Sequence, residues 1–331
     1  MSDLQNLAFE GHVPDEHAML DLVSNKVYVI VPTLNASKDW RSFASALLSC
    51  GIRPDHVLIV DSESVDGTAE LARAAGFEVL SIRRADFNHG GTRQMAAEKL
   101  DQAELLVYLT QDATIVDSEA LQLLLAPFED ALVGAAYGRQ LPRSGAEAIE
   151  IHARDFNYPQ TSEVRSLADR DRIGIKAAFL SNSFAAYRRS ILLKVGGFPH
   201  DALFGEDTVT AAKILLEGHK IAYVAEACVY HSHGYTWAQE FRRYFDIGVL
   251  HSRERWLIDA FGKATGEGKR FVVSQLKYLM DTDSWQIPSA LVRAGIKLLG
   301  YRLGQMEAQL TPNAKRRLSM HPEFWSNSSE K

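Results

Sequence analysis

The sequence predicts an α/β fold: a mostly parallel sheet flanked by helices and followed by a helical extension. Three observations carry this reading. Short runs rich in Val, Ile and Leu recur between Val27 and Thr110, each bounded by Pro, Gly or a polar residue. Stretches of helical period separate them, the alternation that builds a parallel sheet with helices on both faces. From Trp237 onward the strand pattern stops and helical period takes over.

In order, Val27–Pro32 reads as a strand buried on both faces, because it is apolar throughout rather than alternating. Trp40–Cys50 reads as a helix stopped by Gly51, and Val57–Asp61 as a second strand. Thr68–Ala75 is a helix with Gly76 at its end, and Phe77–Ile82 a third strand. Gly91–Asp101 is helical and Leu105–Thr110 is the fourth buried strand. A helix over Leu121–Leu132 and a strand over Gly134–Arg139 follow. Pro142–Gly174 then loses its period and is expected as a long loop, a kind of segment that often carries function. Ala177–Tyr187 reads extended, Thr208–Glu217 helical and Ile221–Tyr230 extended again. Trp237–Gln309 is helical, with interruptions at Gly262–Gly268 and Pro288. The expected division is an extension over 1–25, an α/β body over 26–236 and a helical region over 237–331.

Composition narrows the class. With 331 residues, 22 Gly and 10 Pro, the chain is neither collagen-like nor low-complexity, and it is long enough for a sizeable core. Cys50 and Cys228 have neither a disulfide-framework nor a metal-knuckle spacing, so two reduced thiols are expected. The first twenty residues lack a basic segment followed by an apolar one, and no apolar run approaches the ~18 residues of a membrane span. A cytoplasmic protein is therefore expected. Net charge is −6, unevenly placed: from Phe241 onward 15 Lys and Arg face 9 Asp and Glu, leaving 21 against 33 before it. That disfavours a nucleic-acid binder and marks the tail as the side for an anionic partner.

In an open parallel sheet, ligands bind beyond the carboxyl ends of the strands. The first strand is followed there by Pro32-Thr33-Leu34-Asn35, and the second by Asp61-Ser62-Glu63-Ser64-Val65-Asp66. The third leads to Phe87-Asn88-His89-Gly90-Gly91-Thr92-Arg93, and the fourth to Gln111-Asp112-Ala113. Gly90-Gly91 lets backbone approach a ligand, Thr92 then opens a helix, and His89 and Arg93 could bind phosphate. Asp61 could accept from the N–H of a pyrimidine base or serve the next helix's terminus. Asp112 is placed for a hard divalent cation, with His231 or His233 as a further ligand. One of Glu206-Asp207 could be a general base at the start of a helix, or Asp207 a helix cap. Neither G-x-G-x-x-G after the first strand nor a Walker motif occurs, which disfavours dehydrogenase and P-loop readings.

As an ordered set, V-I-V-P-T-L-N, V-D-S-E-S-V-D-G-T, the acidic motif after the fourth strand, Gly196-Gly197-Phe198 and Gly205-Glu206-Asp207 resemble the family-2 nucleotide-sugar glycosyltransferases of GT-A fold. Within that family, F-N-H-G-G-T-R (Phe87–Arg93), T-Q-D-A (Thr110–Ala113) and R-R-Y-F-D-I-G (Arg242–Gly248) are similar to the bacterial rhamnosyltransferases that use dTDP-L-rhamnose. The resemblance implies that Pro32, Thr33 and Asn35 line a nucleoside pocket, with Asp61 on the base and Ser62, Ser64 and Asp66 nearby. It implies His89, Gly90 and Arg93 approaching the diphosphate or sugar, Gln111 among the donor-binding residues, and Ser181, Asn182 and Ser183 bordering the donor sugar. Asp112 would hold Mg²⁺ or Mn²⁺, with His231 a further ligand and His233 the alternate. Asp207 would be the catalytic base, seconded by Glu206. The family commonly shows two aspartates one residue apart where this chain has Gln111-Asp112-Ala113, which leaves one carboxylate for the cation.

The implied reaction is inverting transfer of L-rhamnose from dTDP-β-L-rhamnose to a hydroxyl of a bacterial surface glycan, lipid-linked or on lipopolysaccharide. A same-fold transferase using UDP-GlcNAc, or a sugar-nucleotide-binding module without turnover, are the alternatives. Ser289–Gln309 mixes Leu291, Ile296, Leu298, Leu299 and Leu303 with Arg293, Lys297 and Arg302. Read as a basic amphipathic helix, it is expected either to lie on an anionic membrane through Arg293 and Lys297 or to pack on the body.

Overall fold

The computed structural model describes residues 26–264 and 266–327. The expected extension over 1–25 lies outside the described residues. In chain order the elements are β1 (Val27–Thr33), α1 (Trp40–Ser49), β2 (Val57–Asp61), α2 (Thr68–Ala74), β3 (Glu78–Ser81), α3 (His89–Lys99), β4 (Leu105–Leu109), β5 (Thr114–Ile115), α4 (Ala120–Leu125) and β6 (Val133–Leu141). Then come α5 (Ala148–Asn157), β7 (Glu163–Arg165), α6 (Arg170–Ile173), β8 (Phe184–Arg188), α7 (Arg189–Lys194), α8 (Glu206–Leu216) and β9 (Lys220–Tyr230). The tail comprises α9 (Trp237–Arg253), α10 (Arg255–Phe261), α11 (Glu267–Thr282), α12 (Ile287–Gln305), α13 (Pro312–Leu318) and α14 (Pro322–Asn327).

The sheet runs β3-β2-β1-β4-β8-β6-β9-β5, with β7 also on β9. β3, β2, β1 and β4 are parallel, in the register Val29↔Val57 and Val29↔Val107. β8 is antiparallel to both β4 and β6, which restores the common direction to β6 and its parallel neighbour β9. β5 and β7 run against β9 near its two ends. Strand alternation feeds two cores. Tyr28 and Ile30 of β1 face one, around Tyr108, Tyr187 and Phe198; Val27, Val29 and Val31 face the other, around Trp40, Phe43 and Leu121. Both faces being covered explains why these strands read as unbroken apolar runs.

Three expectations about local structure need correcting. The segment expected as a loop after Pro142 contains α5 and β7. Ile149, His152 and Phe156 share one face of α5, but the surface they pack on lies in the tail: Phe271 meets His152 at 5.2 Å and Phe156 at 5.1 Å between ring centroids. Of the expected strand over Ala177–Tyr187 only Phe184–Tyr187 is a strand, which runs on to Arg188, and Gly174–Ala178 is a tight 3₁₀ turn. Pro288 sits in the first turn of α12 rather than interrupting a helix, at a position where its missing N–H costs nothing.

The tail packs by close approach of small residues. A Cβ at Gly300 would come within 2.4 Å of the Phe241 carbonyl oxygen, and one at Gly304 within 2.0 Å of that of Phe245. Helix α12 therefore turns its smallest residues toward α9. Arg293 and Lys297 also turn inward, where they pair with the buried Glu240 at 3.2 and 3.4 Å. The expected basic membrane face is thus an internal ion-pair cluster, and the outer face carries Leu291, Val292, Leu298 and Leu299, all exposed.

Candidate active site

The loops after β1 and β2 are tied to each other. Asp61, buried at the end of β2, accepts from Thr33 Oγ1 (3.1 Å), Ser64 N (3.0 Å) and Ser64 Oγ (2.5 Å). Ser64 Oγ in turn accepts from Asn35 N at 2.9 Å, and Asn35 Oδ1 from Val65 N at 3.0 Å. Asn35 and Glu63 are both left-handed, φ 51° and 57°, so each loop turns sharply enough to present backbone outward. Asp66 accepts from Ser37 N (2.9 Å) and Thr68 N (3.1 Å), which places it as the clasp between the β1 loop and α2. Those bonds hold its carboxyl well below the usual range, chiefly the one from the Thr68 side chain. Gln111 bridges onward: its Oε1 accepts from Leu34 N at 2.7 Å and its Nε2 donates to Leu34 O at 3.1 Å. Asp61, Thr33, Asn35, Ser64 and Gln111 therefore belong to one continuous rim, with Pro32 behind it in β1. Ser62 is buried and its hydroxyl has no hydrogen-bond partner among the described residues.

Next along that rim, Asp112, His231 and His233 gather so that one donor atom from each lies within 4.8 Å of the others. His231 Nε2 is 3.5 Å from Asp112 Oδ1 and His233 Nε2 is 3.6 Å from Oδ2, so both histidines converge where the sequence left a choice. Gln140 Oε1 accepts from Arg154 Nη1 at 2.5 Å and lies 2.9 Å from His231 Nδ1. The arginine fixes which amide atom faces the ring, so His231 Nδ1 carries a hydrogen and donates to Gln140, and Nε2 is the atom turned toward Asp112. Burial opposes charge on Asp112, but the hydrogen bond from His231 and the fields of both histidines outweigh it and hold the carboxyl well below its usual range. Burial pushes His233 down to about 4, so it is neutral at pH 7. One carboxylate and two imidazoles suit a first-row transition ion such as Mn²⁺ better than Mg²⁺, which prefers oxygen ligands throughout.

The third group is at the start of α8. Gly205, at φ 78°, turns the chain into the helix and leaves Glu206 and Asp207 in its first turn. Glu206 is buried against Arg93, 3.2 Å from Nη1 to Oε1, and Asn182 Nδ2 donates to it at 3.2 Å. Burial alone would raise Glu206, but Arg93 in particular, then His89 and Asn182, bring it below its usual value. Asp207 has no such cation. It accepts from Thr208 N at 2.8 Å and Asn182 N at 3.3 Å, while burial and the Glu206 charge push it up to about 7. Two adjacent carboxylates with their proton affinities driven apart is the arrangement that divides a charge partner from a base. Tyr187 Oη donates to Asn182 Oδ1 at 2.8 Å, and Gln140 Nε2 to Ser181 Oγ at 2.9 Å, so Ser181-Asn182 joins this group to the histidine cluster.

Three expected roles are revised by these contacts. Arg93, expected at a diphosphate, is 5% exposed and held by Glu206 and by the His89 carbonyl (2.8 Å), so it neutralises a carboxylate inside the protein. Gly90 is needed by the fold itself, because a Cβ there would lie 1.9 Å from the Pro199 carbonyl oxygen. The helix after β3 begins at His89, capped by Asn88 accepting from Gly91 N at 2.8 Å, three residues before Thr92. Residues that sequence reasoning missed are Gln140, Arg154 and Arg143, which pairs with Asp112 at 3.9 Å. They come from β6 and the segment after it, whose local pattern carries no sign that β6 ends beside β9's histidines.

A parallel-stranded half-sheet with an acidic, metal-competent mouth defines a nucleotide-sugar transferase fold, and sequence comparison agrees. The profile described as "Glycosyltransferase like family 2" matches residues 24–245, and the chain belongs to that family. Among curated proteins it is similar to the O-antigen chain rhamnosyltransferase RfbN of Salmonella typhimurium, 44% identical over 91% of this chain and 96% of that one. It is likewise 42% identical to the O-antigen chain rhamnosyltransferase WbaN of Salmonella anatum, over 90% of this chain and 95% of that one. Of solved structures, a mannosyltransferase from Pyrobaculum calidifontis in complex with GDP-Man and Mn²⁺ superposes with TM-score 0.53 at 20% identity, covering 92% of this chain and 86% of that one. Residues 1–349 of Staphylococcus aureus TarS in complex with UDP give TM-score 0.50 at 15% identity, over 86% and 91%. Both likenesses concern the fold.

Proposed function

We propose that this protein is an inverting rhamnosyltransferase that moves L-rhamnose from dTDP-β-L-rhamnose to a hydroxyl of an O-antigen-type glycan carried on a lipid. The observation that carries the chemistry is Asp207, a carboxyl raised to about 7 beside a neutralised Glu206 at the mouth of the sheet. The sugar and the glycan rest on the likeness to the two curated rhamnosyltransferases over nearly their whole length. In the step itself Asp207 takes the proton of the acceptor hydroxyl as its oxygen bonds to the anomeric carbon. The bond from that carbon to the phosphate oxygen breaks, and its electron pair leaves with dTDP. A single base on the acceptor side inverts the carbon, giving an α-L-rhamnoside. Asp112, His231 and His233 would hold Mn²⁺ or a similar ion, which supplies charge neutralisation for the leaving diphosphate. Asp61, Thr33 and Asn35 would frame the base and ribose.

The same reading places the enzyme on the cytoplasmic face of a membrane as a peripheral protein. No helix among the described residues is long and apolar enough to cross one. The support is the outer face of α12, with Leu298 52% and Leu299 55% exposed, and Trp285 80% exposed in the turn before it. Transfer of radiolabelled rhamnose from dTDP-rhamnose to a lipid-linked glycan, run beside UDP-GlcNAc and UDP-galactose, tests the donor. Turnover with a UDP-sugar and none with dTDP-rhamnose would sink it.

A further inference from the structure

The motif Arg242–Gly248 lies on α9, on the side of the tail that folds against the mouth of the sheet. Its Arg243 places its guanidinium 3.7 Å over the ring of Phe204, two residues ahead of Glu206. Among the described residues it makes no side-chain hydrogen bond or ion pair. The other cations about the mouth are engaged: Arg93 by Glu206, Arg143 by Asp112 and Arg154 by Gln140. Around Arg243 the tail folds over the site. Asp246, one turn along α9, accepts from Met320 N at 2.9 Å, and that clasp sets the ring of His321 edge-on to His89, 5.2 Å between centroids. The Arg243 charge reaches His89, His321 and Tyr158, helping to depress both histidines after burial. Arg243 is thus a half-buried, stacked guanidinium, preorganised by Phe204; the Asp246 carboxylate lies within reach of its charge but is engaged by Met320 N and Ser319, and among the described residues no ion pair ties up the guanidinium. Such a group pays desolvation without return until an anion of matching geometry meets it.

We propose that Arg243 binds a phosphate oxygen of the substrate and supplies the cationic contact that Arg93 does not. The proposal rests on the transferase reading above. Two phosphates fit the chemistry: the diphosphate of the donor, and a diphosphate joining the acceptor glycan to its lipid. Placement two residues before Glu206 and over against His89 favours the donor's. Residues beyond the sheet then contribute directly to ligand binding, rather than only packing against it.

Calorimetry with thymidine, dTMP, dTDP and inorganic pyrophosphate, with Mn²⁺ present, tests it on wild type, Arg243→Gln and Arg243→Lys. The expected result is a roughly ten- to hundredfold loss of dTDP and pyrophosphate affinity in Arg243→Gln, with thymidine unchanged. Arg243→Lys should recover part of it, since lysine restores the charge but not the fork. Matching thermal melts show that Arg243→Gln is folded; where it is not, the lysine variant carries the comparison. Unchanged dTDP binding with a raised KM for a diphosphate-linked acceptor would assign the same contact to the acceptor's phosphate. Equal affinity for dTDP and pyrophosphate in all three proteins, with an unchanged acceptor KM, overturns the proposal. A wild type that binds pyrophosphate through Arg243 but no thymidine nucleotide would instead overturn the donor reading and leave this one standing.

Discussion

Two clusters in this protein bury opposite charges, and their arithmetic is reversed. In the tail, one carboxylate serves two cations: Glu240 lies 3.2 Å from Arg293 and 3.4 Å from Lys297. At the mouth, one cation stands beside two carboxylates: Arg93 takes Glu206 at 3.2 Å and leaves Asp207 over. The surplus charge of the tail is absorbed, because Lys297 Nζ also rests over the rings of Phe271 and Tyr244, 5.1 and 5.6 Å from their centroids. The surplus at the mouth accepts from two backbone N–H groups and, at 3.5 Å, from the Thr208 hydroxyl, and Asp207, buried beside the Glu206 charge, answers by holding its proton up to about 7. Balanced charges make structure; the unbalanced carboxyl keeps a proton affinity near neutrality, which is what the proposed base requires. The comparison also separates what each residue should cost when changed.

The largest expected effect is on Asp207. Asp207→Asn keeps the shape and one of the two backbone hydrogen bonds, since Thr208 N and Asn182 N reach different carboxylate oxygens, but it removes the proton acceptor, and transfer should fall by roughly 10³-fold. Its thermal melt should match or exceed that of wild type at pH 8, because a buried surplus anion has gone. Turnover within tenfold of wild type would make Asp207 no base. Next comes Arg93→Met, which strands Glu206 without its cation and should cost about 3–5 kcal/mol in urea unfolding. Adding Glu206→Gln should return most of that. Lys297→Met in the tail should cost under about 1 kcal/mol, since Arg293 still meets Glu240. If the two arginine and lysine variants lose stability equally, the contrast between the clusters fails.

A smaller effect is expected behind the metal-competent group. Gln140→Leu touches none of Asp112, His231 and His233 chemically, yet it releases the His231 ring that Gln140 orients. Half-activation by Mn²⁺ should need about 10–100-fold more metal. No change would mean that the histidine is held by packing alone.

Much of this is legible in the sequence. The parallel half of the sheet showed itself because β1, β2 and β4 are buried on both faces, which leaves unbroken runs of Val, Ile and Leu. The acidic and histidine residues could be collected because ligands of such sheets lie at one edge. What stayed hidden depended on contacts far along the chain. Helix α5 looked like loop because the surface that steadies it, Phe271 and its neighbours, comes more than a hundred residues later. Arg93 looked free for phosphate because nothing local announces that Glu206 will be folded onto it. Arg293 and Lys297 looked solvent-facing because charge usually is, whereas the glycines at 300 and 304 draw α12 against α9 and carry both cations inward with it.

The effect of pH discriminates most finely, because stability and activity should respond in opposite directions over one window. Folding raises Asp207 from the ordinary carboxylate range to about 7, so the folded state holds a proton that the unfolded chain has released. Its contribution to stability is therefore complete below about pH 4 and is lost as pH climbs toward 7. Glu206 is lowered and has the opposite sign, with a contribution present above the ordinary carboxylate range and lost in acid. His89, brought down to about 4, also weakens the fold as pH drops below its unfolded value. Wild-type melts alone mix these terms. Subtracting the melt curve of Asp207→Asn, measured from pH 4.5 to 8, leaves Asp207: the wild type should fall a few degrees behind the variant as pH rises. Over the same interval kcat/KM of the wild type should climb about tenfold per pH unit until it flattens near 7, as the base ionises. A rate profile that is flat below pH 7 while the melt difference still slopes would separate the titrating carboxyl from the catalytic one. That outcome would leave Asp207 as a strained structural group and return the search for the base to the rest of the mouth.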